Sequence, residues 1–179
     1  MDRASEVKLE YYHGQVVAMA GGSPVHNTIS VNLIIRLGIA LDGRKCRVFN
    51  SDQKVRTLSG GFFYPDVAIA CQPEFTGDRQ EILTNPVVVC EVLSPSTEAR
   101  DRGAKFAQMR TASSLREYLL FSQDRREVDR YTRHPGGWLL TTFDSGCVEF
   151  ELSSIGVTVK LDDIYENVVI SDQANGETD

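Results

Sequence analysis

Apolar residues recur along this chain in two rhythms, and the rhythms separate helices from strands. Ile29, Leu33, Leu37 and Leu41 return every fourth residue, which lines one face of a helix. Ser23 offers a capping oxygen and Pro24 suits a first helical position, so the spacing predicts a helix over 24–41, closed by Asp42-Gly43. Leu9 to Tyr12 and Gln15 to Met19, joined by His13-Gly14, predict a β-hairpin, because glycine takes the positive φ of a tight turn. Cys46 to Phe49 and Gln53 to Thr57 predict a strand interrupted near Asn50-Ser51-Asp52. Phe62 to Cys71 predicts another, with Pro65 marking an edge or bend near its start. Gln72 to Pro86 is polar and broken by Pro and Gly, and reads as a loop. Val87 to Leu93 is apolar on both faces, the mark of a central strand.

Ser94-Pro95-Ser96-Thr97-Glu98 ends that strand and supplies hydroxyls and an acid for a helix start, predicting a second helix over 98–111. Glu117 to Ser122 is the next strand. Val128 to Thr132, Trp138 to Phe143 and Val148 to Leu152 alternate with Gly-containing turns, as an antiparallel meander would. Residues 166–179 are expected as a frayed tail. The core order is therefore helix, three strands, helix, strand, with β additions at both ends.

A chain of 179 residues with 41% hydrophobic and 25% charged residues has the proportions of one globular domain, read here as 1–179. No apolar run approaches the roughly 18 residues of a membrane span, and the start lacks a secretory pattern, so a cytoplasmic protein without a membrane partner is expected. Cys46, Cys71, Cys90 and Cys147 are widely spaced without a C-x-x-C pair and read as reduced core residues. The net charge of -6 argues against binding nucleic acid through overall basicity. Its distribution is uneven: residues 100–133 hold nine Lys/Arg against five Asp/Glu, whereas 144–179 hold one Lys against nine acids. That basic middle is either a phosphate-contacting surface or a solvated face with compensating charges.

Two carboxylates, Asp66 and Glu91, lie in apolar runs, where desolvation demands a cation or hydrogen-bond donors. On neighbouring strands they could converge and bind a hard divalent cation such as Mg2+. The alternative is a structural buried pair satisfied by arginines. Lys105 follows on the predicted helix, where an ammonium could orient water or offset phosphate charge. Asp101, four residues earlier, shares its helix face and also fits an ordinary surface ion pair. Glu10 is an auxiliary acid or a hairpin surface charge, and His26 a phosphate or carboxylate partner or a structural histidine. No G-x-S-x-G, phosphate-binding loop, dinucleotide fingerprint or H-E-x-x-H is present.

Tyr64-Pro65-Asp66, then Glu91-Val92-Leu93-Ser94-Pro95-Ser96-Thr97, Asp101-Arg102-Gly103, Lys105-Phe106 and Ser114-Leu115-Arg116-Glu117-Tyr118 together resemble the Uma2 family, formerly a domain of unknown function common in cyanobacteria. That resemblance covers nearly the whole chain. It implies the restriction-endonuclease-like fold of the PD-(D/E)xK superfamily: an α+β chain with an αβββαβ core, a central mixed sheet flanked by helices, an N-terminal hairpin and C-terminal antiparallel strands. By the same resemblance Asp66 and Glu91 are metal ligands for Mg2+ or Mn2+, and Asp66, Glu91 and Lys105 form the catalytic set. Glu10, His26 and Asp101 are auxiliary. Leu93 occupies the position of the superfamily's usual lysine, and Lys105 is expected to substitute. The implied activity is DNA hydrolysis by a metal-dependent nuclease. The alternative is a non-catalytic nuclease-fold module that binds nucleic acid or a protein. Apart from the resemblance, a homodimer is a possible assembly, and an interaction protein whose exposed meander dimerises is a further reading.

Overall fold

The computed structural model describes residues 8–12, 14–18 and 21–170. Helix α1 (Pro24–Ala40) forms where the four-residue spacing places it. The Ser23 hydroxyl oxygen accepts from the His26 N–H at 3.0 Å, which satisfies one of the first-turn donors that no helical carbonyl can reach. Ile29, Leu33 and Leu37 are buried against the sheet behind them.

The strands are β1 (Leu9–Tyr12), β2 (Gln15–Ala18), β3 (Cys46–Asn50), β4 (Lys54–Arg56), β5 (Phe62–Phe63), β6 (Val67–Cys71) and β7 (Phe75–Thr76), then β8 (Ile82–Leu83), β9 (Val88–Val92), β10 (Glu117–Phe121), β11 (Val128–His134), β12 (Gly137–Phe143), β13 (Glu149–Leu152) and β14 (Val157–Lys160). The central sheet has the order β12-β11-β10-β9-β6-β3, and a smaller one the order β2-β1-β5-β4-β8-β7. In the central sheet β9 runs antiparallel to β6 and parallel to β10. A parallel neighbour requires a crossover, and a helix over 98–109 supplies it. The chain order α1, β3, β6, β9, helix, β10 is the expected αβββαβ core within an α+β fold. Every residue of β9 is buried, which is why its run is apolar on both faces. One face of the sheet packs on α1 and the β13–β14 ribbon; the other packs on the second helix, through Phe106 and Met109, and on Val55, Phe63 and Leu83 of the small sheet.

Several expectations are corrected. The run 62–71 is two strands in different sheets, because Pro65 has no N–H to give a ladder and Tyr64-Pro65-Asp66 crosses between them. Asp66 therefore lies just ahead of β6 rather than within a strand. Residues 46–57 divide likewise between β3 and β4, and the loop 72–86 contains the two-residue strands β7 and β8, too short for any periodicity to reveal. The meander ends at β12, since β13 turns away to pair with β14. Cys46 and Cys71 are joined in a disulfide: they are opposed partners on β3 and β6, a pairing that 25 residues of separation hide in the sequence. Cys90 is a free buried core residue, as expected, and Cys147 is free. Of the expected tail, Ile170 is buried in the core cluster that α1 shares with the central sheet, and Val168 packs against that cluster. Residues 171–179, like His13 and Met19 of the hairpin, lie outside the described residues.

Candidate active site

The antiparallel register between β6 and β9 pairs Val67 with Cys90, so one further step sets Asp66 opposite Glu91. Their contact is direct. The Asp66 N–H donates to Glu91 Oε2 at 3.4 Å, and the Val92 N–H donates to Asp66 Oδ2 at 2.8 Å. The adjacent helix is α-helical over Glu98–Arg100 and Phe106–Met109 but widens to a π-turn over Asp101–Lys105. Such turns close an i→i+5 hydrogen bond in place of i→i+4 and are frequent at functional sites. Here Lys105 is turned into the sheet, 2% exposed, with Nζ 2.7 Å from Glu91 Oε1 and 3.2 Å from Glu10 Oε1. Leu93 packs in the core, and Lys105 reaches Glu91 from the helix instead.

Glu10, on β1, is fully buried rather than a surface charge. Its Oε1 also accepts from the Tyr64 N–H at 3.0 Å, and its Oε2 lies 2.6 Å from Arg100 Nη2. The hairpin thus closes over the site and ties it to the helix. Asp101 is buried too, 3.8 Å from Arg100 Nε, so the surface ion pair with Lys105 is not what forms. His26, in the first turn of α1, brings Nε2 to 3.2 Å from Asp66 Oδ2. Five of the six candidates, His26, Asp66, Glu91, Asp101 and Lys105, line one cleft of about 470 Å³ between α1, the end of β9 and the second helix, and Glu10 lies behind it, joined through Lys105 and Arg100. A second cleft of about 850 Å³, bordered by Asn27, Ser30 and Val31, adjoins it at His26 and Asp66.

Four carboxylates, from Glu10, Asp66, Glu91 and Asp101, confront Lys105, Arg100 and His26. Burial pushes the Glu91 carboxyl well above its ordinary range, and the neighbouring acids add to that despite Lys105. Burial likewise raises Asp101. Burial opposes the Lys105 ammonium, but Glu91, Glu10 and Asp101 outweigh it and keep the lysine protonated. Asp66 is lowered: burial alone would raise it, yet His26, Lys105 and the Val92 N–H hold it ionised. His26 is raised by its hydrogen bond to Asp66. A raised histidine stabilises the fold fully below about 6.5, and that contribution disappears as pH climbs through the folded-state value. In Asp66→Asn the His26 titration, followed by ring-proton NMR, is therefore expected to move back down toward 6.5; an unmoved titration would locate the responsible charge elsewhere.

Acids outnumber cations in this cleft, and the acids are hard oxygen donors. Among the described residues no group of three or more His, Cys, Asp or Glu is arranged to ligate a metal by itself. Mg2+ does not demand one, since it is commonly held by one or two carboxylates and completed by water and substrate oxygens. The excess negative charge and the adjacent Asp66 and Glu91 carboxylates fit such a cation.

The family model Uma2, described as "Putative restriction endonuclease", matches residues 1–161. The chain belongs to the Uma2 family. Two uncharacterized Synechocystis proteins are similar over most of their length. One, slr1290, is 40% identical over 165 residues, covering 90% of this chain and 85% of that protein. The other, sll1609, is 37% identical over 155 residues, covering 85% and 87%. A crystal structure from Anabaena variabilis ATCC 29413, described as "a putative nuclease belonging to DUF820", shares the fold with a TM-score of 0.75 at 16% identity, covering 92% of this chain and 93% of that one. Within this Uma2 chain, sequence reasoning did not foresee Arg100, which had no signal beyond its place beside Asp101. Nor could it foresee the Val92 N–H, since a backbone donor leaves no trace in residue identity. The Tyr118 hydroxyl, donating to the Asp101 carbonyl oxygen at 3.0 Å, fixes the π-turn on β10. Much of the basic stretch is engaged within the chain: Arg102 with Glu98 and Asp129, Arg125 with Glu127, and Arg126 with Asp162. No helix of the described residues is long and apolar enough to cross a membrane.

Proposed function

We propose that this protein is a Mg2+- or Mn2+-dependent nuclease that hydrolyses DNA phosphodiester bonds, working in the cytoplasm and as a homodimer. The observation that carries the chemistry is the convergence of Asp66, Glu91 and Lys105 at one cleft, with Lys105 Nζ 2.7 Å from Glu91. Membership of a family described as restriction endonucleases supports the same reading.

In this reading Asp66 and Glu91 hold the divalent cation. When bound, it supplies positive charge to a phosphoryl oxygen and acidifies a water. The chain's own residues do the rest. The Lys105 ammonium, ion-paired with Glu91 and Glu10, supplies the positive charge that would orient the attacking water or face a phosphate oxygen. Arg100, anchored by Glu10 and facing the cleft, places a second fixed cation where charge grows on phosphate. Glu10 is a positioning residue in this scheme, because it holds both cations in place. His26 keeps Asp66 oriented and ionised.

The test is purified protein incubated with plasmid DNA and Mg2+ or Mn2+, beside Asp66→Ala. Nicking or linearisation that needs the cation and falls to background in Asp66→Ala is the expected result. Cleavage that persists in EDTA, or survives the substitution, overturns it. A folded protein that takes up neither cation by calorimetry fits the other reading, a non-catalytic binding module, which the closed Glu10–Lys105–Glu91 ion cluster favours.

A further inference from the structure

The central sheet has two edges, and they are built differently. At one end β3 is short and carries Arg47, with Arg44 and Lys45 just before it; charge on an edge strand discourages another strand from adding. At the other end β12 runs seven residues, Gly-Trp-Leu-Leu-Thr-Thr-Phe, without a charge or a proline. Among the described residues nothing pairs with its outer side. Leu139 and Leu140 are 54% and 49% exposed.

Leu139 and Leu140 are consecutive, so they point to opposite faces of the sheet. A helix lying on one face would cover one of them and leave the other in water. A strand added at the edge flanks both. We infer that β12 pairs antiparallel with β12 of a second copy, across a two-fold axis perpendicular to the sheet, joining the two central sheets into one.

The charges at the strand's ends select this occupant. Beside its start, Arg133 stands over the Trp138 ring at 4.5 Å, its charge disfavoured by burial and then by Arg116, and Arg116 has no ion pair among the described residues. Beyond its end come Asp144 and Glu149, the latter next to Phe150, which stacks on Phe143; neither acid has an ion pair among the described residues. Antiparallel self-pairing brings the basic end of each copy to the acidic end of the other. Centred on Leu140, it sets Leu140 opposite its own counterpart, Trp138 opposite Thr142, and Gly137 opposite Phe143. No like charges meet along the strand, and aromatic–threonine neighbours are favourable cross-strand pairs.

The inference rests on the dimer in the function proposed above and not on its chemistry. Sedimentation equilibrium of the full chain is expected to give twice the chain mass of 19.9 kDa. Leu140→Lys puts two ammonium groups face to face at the axis and is expected to give a folded monomer. Ile35→Lys, on an exposed apolar position of α1, is expected to leave the dimer intact. Leu140→Cys in a Cys147→Ser background is expected to form an interchain disulfide on mild oxidation, which decides the matter should the lysine variant fail to fold. A monomeric wild type overturns both the dimer and this edge. A dimer that survives Leu140→Lys, is lost instead in Ile35→Lys, or does not cross-link at Leu140→Cys overturns the edge alone. Nuclease activity is untouched by any of these outcomes.

Discussion

Lys105→Met is expected to destabilise the protein by about 3–5 kcal/mol and to lower DNA hydrolysis about 100- to 1,000-fold. Both effects come from the same geometry. The ammonium lies 2.7 Å from Glu91 and 3.2 Å from Glu10, and all three side chains are at most 3% exposed. Methionine has a similar volume, so the core stays filled while two carboxylates lose the cation between them. Removing one member of a buried ion cluster costs far more than removing an exposed pair, because water cannot replace it. Urea unfolding of wild type and variant reads the first effect, and plasmid cleavage at matched folded fraction reads the second. The double variant Lys105→Met, Glu91→Gln should recover part of the lost stability and none of the activity, since it removes a stranded charge. A single variant that loses under about 1 kcal/mol would show that the cluster is open to solvent.

Glu91→Gln is expected to abolish hydrolysis and yet, without metal, to become more stable than wild type as pH rises. The Glu91 pKa is raised by burial, so its contribution to stability is complete below about 4.5 and is lost as pH climbs through the folded-state value. Glutamine has the same shape and never ionises. Near pH 4 the two proteins should therefore unfold at similar denaturant concentrations. By pH 7 the variant should unfold at the higher denaturant concentration. Adding Mg2+ or Mn2+ should reverse the order by stabilising wild type alone, because a ligand that binds only the native state raises its stability. Parallel pH profiles for the two proteins would mean that Glu91 ionises in the fold as freely as in the unfolded chain.

The fold's skeleton was legible because its signals are local. The four-residue spacing of Ile29, Leu33 and Leu37, the Ser23 cap, and the doubly apolar run of β9 each report burial by elements that follow directly in the chain. Where the sequence failed, the deciding contact joined distant segments. Pro65 announced a bend, but only the two sheets show that the chain changes partners there. The two-residue strands β7 and β8 exist because neighbours hold them.

The candidate site divides the same way. The sequence by itself singled out the residues proposed to carry the chemistry: two acids that an apolar surrounding makes costly, a lysine one helix later, and the family pattern joining them. Only the tertiary structure decided their distances. Glu10 looked like a hairpin surface charge because its neighbours in sequence are ordinary strand residues; its burial comes from Tyr64, Arg100 and Lys105, which are 54 to 95 positions away. Lys105 and Asp101 matched a surface ion pair at α-helical spacing, and the π-turn turned both inward. A lysine's reach is set by the backbone that aims it. The question Leu93 raised in the sequence was thus answered on the facing helix, by a widened turn packed against β10.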